Sequence, residues 1–231
     1  MMDLPGALKS LDDIKGGKPF SEFLAPENHK DWPKEIRVPY NSEVRGTVYT
    51  WEHREKRLDN FHDMKSRLYV DSDGNRKLMM LEWNTPFFGK ENLDVYCDFD
   101  EGLIVKSMRD TKFCKEGKLG KKINLKDIID RLNDPHGGLM EYLGEKQVDW
   151  AHQREKFHAF RVNMQTKDFR KEEILYFNTD GMDLEWIETI KPLPFVIGIE
   201  NGLEERKFSD EDFKDVKTRC DEEDSGVLGW V

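Results

Sequence analysis

Three cysteines, Cys97, Cys114 and Cys220, are all that this chain of 231 residues contains, and no two of them form a CxxC pair. A disulfide-dense scaffold is thereby excluded. Isolated thiols are the expectation, and a Cys114–Cys220 bridge would make sense only in an oxidising compartment. No apolar run approaches the roughly 20 residues that a membrane-spanning helix needs, so no transmembrane segment is expected. The start, Met1-Met2-Asp3-Leu4-Pro5, has neither the basic region nor the apolar stretch of a secretory signal. As written the chain reads as intracellular, in cytoplasm or an organelle lumen, or as a mature form without its targeting segment. Positive charge is also in deficit, with 37 Lys and Arg against 47 Asp and Glu and a net charge of −10. That balance repels phosphate backbones, so nucleic acid is not an expected partner.

Catalytic signatures are missing too. The six histidines, His29, His53, His62, His136, His152 and His158, make no HExxH, no i, i+4 pair and no zinc-like spacing to cysteine. Neither GxSxG, Walker A nor GxGxxG occurs. Asp71-Ser-Asp-Gly-Asn75 and Asn178-Thr-Asp-Gly-Met-Asp183 place glycine wrongly for an EF-hand and read as hairpin turns. No catalytic residue, metal site or cofactor is expected. Asp94, Asp98 and Asp100 alternate with Leu93, Val95, Cys97 and Phe99, which assigns the carboxylates to the face turned towards water.

Hydrophobic residues make up only 37% of the chain, but aromatics reach 11%, including 14 Phe, which argues against global disorder. Charge is unevenly spread: Lys106 to Lys122 holds seven basic and two acidic residues, Leu203 to Asp224 ten acidic and five basic. These are read as solvated surfaces that face each other, or, for the basic stretch, as an anionic-ligand or partner site. Residues 1–42 are broken by Pro5, Gly16-Gly17, Pro19, Pro26, Pro33 and Pro39 and read as an extended arm. Its Phe20, Phe23, Leu24 and Trp32 are large apolar residues that need something to lie against, and so are candidate partner-binding residues.

From Val44 the period becomes two, and hairpins follow at Ser66–Trp83, Leu93–Met108 and Glu173–Ile190. Pro192-Leu-Pro-Phe-Val-Ile-Gly198 reads as an edge strand, because proline donates nothing to a ladder. One amphipathic helix is expected over Leu125–Leu132, with Asn124 as its N-cap. Ser209-Asp-Glu-Asp212 opens a short terminal helix. The fold class is α+β: a curved, predominantly antiparallel, half-barrel-like meander of hairpins with a few short helices on one face. The chain divides into the arm at 1–42, a β-rich core at 43–205 and an acidic helix and tail at 206–231. Trp83, Phe87, Phe88, Phe160, Met164, Phe177 and Trp186 exceed what a thin core needs and are candidate ligand-binding residues, on the view that a curved sheet keeps room for an apolar ligand.

Val48-Tyr-Thr-Trp-Glu-His-Arg-Glu-Lys-Arg57 reads as a strand leaving into a basic turn. Val95-Tyr-Cys-Asp-Phe-Asp-Glu-Gly-Leu-Ile-Val-Lys-Ser-Met-Arg-Asp-Thr-Lys-Phe-Cys114 then runs through an aromatic-Asp turn into a Lys-rich cysteine segment. A helical crossover, Gln147-Val-Asp-Trp150 and paired strands up to Pro192-Leu-Pro194 follow. Over about residues 44–200 this order resembles the eukaryotic LolA-like and ependymin-related proteins. The resemblance implies a strongly curved antiparallel sheet, helices across its concave side and a hydrophobic or lipid-like ligand. The lack of a signal peptide and of the family's fuller cysteine set departs from it. Two roles follow. One is a non-enzymatic accessory subunit of a larger assembly, using the arm for protein contacts. The other is a carrier of a hydrophobic or lipid-like ligand, with an unrecognised enzyme behind both.

Overall fold

A computed structural model describes residues 36–52, 57–86, 89–109, 111, 113–119, 123–134, 139–150, 153–165, 170–191 and 195–220. The arm residues Phe20, Phe23, Leu24 and Trp32, and also Phe87 and Phe88, lie outside the described residues.

Two antiparallel meanders make up the sheet. The first comprises β1 (Asn41–Glu52), β2 (Arg57–Asp71), β3 (Arg76–Thr85), β4 (Gly89–Asp98), β5 (Leu103–Ser107) and β6 (Cys114–Lys118). The second comprises β7 (Met140–Trp150), β8 (Gln153–Gln165), β9 (Arg170–Asn178), β10 (Leu184–Lys191) and β11 (Phe195–Ile199). They join where β11 pairs with β1, giving one open 12-stranded sheet in the order β6-β5-β4-β3-β2-β1-β11-β10-β9-β8-β7, with β12 (Glu204–Glu205) also on β1. An α+β fold dominated by antiparallel strands is what the alternating pattern predicts. The proline-led segment is a difference. The strand begins only at Phe195 and pairs on both sides, with β1 and with β10, so it is central, not an edge. Pro192 and Pro194 lie outside the described residues.

Turn chemistry explains the hairpins. Between β2 and β3 the Asp71 carboxylate accepts from the Gly74 amide at 3.0 Å, and Asn75 takes a left-handed φ of 47°. The Asn75 side chain then donates to the Ile123 carbonyl and accepts from the Leu125 amide, which anchors the start of α1 (Leu125–Leu132) to the sheet. Asn124 caps that helix by accepting from the amides of Lys126 and Asp127. At its other end Asn133 bonds both the amide and the carbonyl of Val38.

The chain between β6 and β7 must travel from one end of the strand order to the other, and α1 lies on that path. Leu125 and Ile128 pack with Val95, Cys97 and Phe99, while Leu132 packs with the cluster of Met140, Phe160 and Phe177. After β11 the chain crosses the opposite face. There Phe213 and Val216 of α2 (Glu211–Lys217) pack with Tyr69, Leu78, Tyr96 and Val105. Tyr96 and its neighbours Val95 and Cys97 point to opposite sides of β4, so the two helices cover opposite faces. The expectation of helices on one face is corrected by this second crossing. A sheet with apolar side chains on both surfaces needs both covered.

Asp94 and Asp98 are corrected likewise. Alternation does set them opposite Val95 and Cys97, yet both are buried, because α2 and the chain around it cover that face. Arg109 and Arg219 bind Asp94, and Lys217 lies 3.8 Å from Asp98. The terminal segment, acidic overall, therefore docks through its cations: Arg206 on Glu43, Lys217 on Glu101 and Arg219 on Asp94.

Cys220, just beyond α2, is disulfide-bonded to Cys114 on β6 across a sequence separation of 106 residues. Isolated thiols were the expectation for both; the second crossing brings their Cα atoms to 5.4 Å. Cys97 remains a buried thiol. Reduction of the bond, or Cys220→Ser, is expected to lower the unfolding free energy by about 2–4 kcal/mol, since a long loop is released in the unfolded chain. Urea unfolding with and without reductant checks this, and an unchanged midpoint would refute it.

Candidate functional site

The register assigns each strand residue to one of two surfaces. On the α1 face, Val48 pairs with Ile197, Ile197 with Ile187, Ile187 with Leu175, Leu175 with Phe160 and Phe160 with Tyr142. These side chains form an uninterrupted apolar file across six strands. Val48 and Phe160 are buried, whereas Tyr142, Leu175, Ile187 and Ile197 are half-buried. On the other side of β1 the same face continues through Leu68, Met79, Leu81 and Leu93, all half-buried. Near the β7 end the Tyr142 hydroxyl and His158 Nδ1 are hydrogen-bonded at 2.8 Å, a polar spot beside the Phe160 and Phe177 rings.

The α2 face carries charge instead. The Glu43 carboxylate receives Nε of Arg45 at 2.5 Å, Nε of Arg67 at 2.7 Å and Nη1 of Arg206 at 2.6 Å. Further along this face, across β3 and β4, Asp94 takes a forked pair from Arg109 and a third bond from Arg219, whose Nη1 also reaches Ser107 Oγ at 2.6 Å. An open cleft of about 780 Å³ lies between the β2–β3 turn and the chain after β12. Its cations Arg76, Arg206 and Lys207 are matched by Asp71, Asp73 and Glu205, and Arg76 is tied to Asp71 and Asp210. Arg206 is tied to Glu43 and Asp212, so two of the three cations already hold carboxylates.

No family model and no curated protein matches the chain. Solved structures similar to it include the following two. One is an uncharacterised conserved protein from Thermus thermophilus, at 10% identity and a TM-score of 0.38, covering 90% of this chain and 92% of that one. The other is a DUF1329 family protein from Desulfovibrio piger, at 10% identity and a TM-score of 0.35, covering 89% and 96%. Neither likeness assigns a family or an activity.

The ligand candidates read from sequence do not converge. Phe160 and Phe177 meet edge to face at 5.6 Å on the α1 face. Trp83 lies half-buried at the far end of the same face, on β3 opposite Glu91. Trp186 belongs to the α2 face, because a bulge between Leu184 and Trp186 reverses the alternation there. It lies over Gly198, where an added Cβ would come within 2.8 Å of its ring, and near Tyr49 at 6.0 Å. Met164 is on β8, whose side-chain surroundings at that point lie outside the description. Apart from Phe160, the apolar file was missed because single alternating residues look ordinary, and only cross-strand register lines them up. Among the described residues no group of three or more His, Cys, Asp or Glu could hold a metal ion.

Glu43 has a consequence for acid stability. Burial is the largest single influence on it and pushes its pKa up, but hydrogen bonds from Arg67, Arg45 and Arg206 outweigh burial and hold it at about 2. A carboxyl depressed below its ordinary value favours the folded state above that value, and the benefit disappears as pH falls through the folded pKa. Stability in urea is expected to drop between about pH 4.5 and pH 2, with a Glu43 share on the order of 3 kcal/mol. Glu43→Gln should lower stability at pH 7 and flatten this acid limb. An equally steep limb in the variant would show that other groups carry it.

Proposed function

We propose that the chain is a non-enzymatic binding protein whose α1 face takes an apolar, chain-like ligand such as an acyl chain. The apolar file from Val48 to Tyr142 carries this reading. Aliphatic side chains left half-open in a row, rather than scattered singly, present a surface whose further burial is favourable at roughly 25 cal/mol per Å². The resemblance to LolA-like proteins supports the same ligand class. The Cys114–Cys220 bond supports a compartment in which thiols are not kept reduced. The alternative role, an accessory subunit held through Phe20, Phe23, Leu24 and Trp32, rests on residues outside the described structure.

Nile red titrated into the full-length protein reads the proposed surface. Ile187→Glu and Leu175→Glu each insert a charge into the file and are expected to weaken probe binding about tenfold or more, because an unpaired buried carboxylate is costly. Lys214→Ala, on the exposed side of α2, should leave binding unchanged. Native mass spectrometry of the purified protein should show an added lipid-sized mass. Deleting residues 1–34, which spares Ile36 of the core and the Val38–Asn133 bonds, separates the two roles: a carrier keeps its probe, while an accessory subunit loses its partner. Probe binding unaffected by both glutamate substitutions would sink the carrier reading.

A further inference from the structure

Arg45 and Arg67 are direct cross-strand partners on β1 and β2, on the α2 face. Like charges in such positions repel, so something must hold them. Glu43 does: its Oε1 takes the Nε of both, and its Oε2 takes Nη1 of Arg206. The Glu43 side chain is only 3% exposed, so three guanidinium groups share one buried carboxylate. Arg206 uses its second nitrogen on Asp212 and lies over the Tyr69 ring, which satisfies it on both sides. Arg45 and Arg67 are different. Their side chains are 44% and 40% exposed, and among the described residues nothing accepts from their Nη groups.

Two forks are thus anchored by their inner edges with their outer edges turned to water. Arg67 is further steadied over Tyr69, 4.9 Å from the ring centre. The nearby Glu204 acts on Arg45 through its charge alone, and Lys65, one pair further along, is bound to Glu200 and Thr47. We infer that Arg45 and Arg67 form a binding site for a small oxyanion, a phosphate or carboxylate group that bridges their outer edges. A guanidinium edge matches the spacing of two such oxygens, and its charge-assisted bonds are about twice as strong as neutral ones. Anchoring through Nε means that much of the side-chain ordering precedes binding. The site lies on the face opposite the apolar file, so this anion is not the head of a ligand held there.

Inorganic phosphate titrated into the full-length protein at low ionic strength, followed by the arginine Nε–Hε NMR signals, tests the inference. Saturable shifts at Arg45 and Arg67 are expected, weakened about tenfold or more by Arg45→Gln or by Arg67→Gln, since each removes a forked, charge-assisted contact. A second arm uses phosphatidylcholine vesicles containing phosphatidic acid. Arg-dependent binding to these vesicles alone makes the anion a lipid headgroup, and Arg-dependent binding of free phosphate makes it a soluble one; either supports the site. Binding that both variants retain, or no saturable response in either arm, overturns it. If the glutamine variants fail to fold, the unaltered protein still answers: phosphate should shield Arg45 and Arg67 from phenylglyoxal. Equal modification with and without phosphate overturns the site as well.

Discussion

The pairing of β1 with β11 is the constraint on which everything else rests. Without it the chain would be two separate meanders, each with an exposed central edge. With it, residues as distant as Val48 and Ile197 become neighbours, and both surfaces run continuously from β6 to β7. Glycine makes the seam close: a Cβ on Gly46 would stand 2.6 Å from the Gly198 carbonyl oxygen. Such long-range pairing raises the contact order of the fold, which slows folding. It also explains the two crossings. Once the meanders are fused edge to edge, a connection from β6 to β7 has to traverse one face, and the segment after β11 is left over the other.

The two faces divide the physics. On the α1 face, burial of aliphatic and aromatic side chains dominates, and α1 seals only part of the surface. On the α2 face, buried carboxylates at Glu43 and Asp94 each collect more than one guanidinium, and the terminal segment is latched by ion pairs, ring contacts and a disulfide. A buried carboxylate with one partner would cost more than it returned; several charge-assisted bonds offset the desolvation. Tyr96 shows the reverse pressure, since burial and then the neighbouring Asp98 push its hydroxyl well above the usual range and keep it a donor to that carboxylate.

Local signals were legible wherever a short-range rule governs. Asn124 caps α1, the Asp71–Asn75 turn closes its hairpin, and alternation set Asp94 and Asp98 on the opposite side of β4 from Val95 and Cys97. Long-range facts were not legible. Nothing local reveals that Phe195–Ile199 is central, because that depends on β1, or that Asp94 is dry, because that depends on Arg109 and Arg219 arriving from elsewhere. Trp186 was grouped with Phe160 on size alone, and the bulge before it turned it to the other surface. The apolar row from Val48 to Tyr142 is visible only once five registers are known together.

An open sheet always keeps two free margins, and here these are β6 and β7. β6, Cys114-Lys-Glu-Gly-Lys118, is five residues long and carries three charges, while β7 is interrupted at Gly144, which has a left-handed φ of 85° and a register shift beside it. Short length, charge and a bulge each discourage a second copy from adding its own strand. A sheet this wide, with an unclosed rim, is thereby kept from growing into a ribbon of stacked copies.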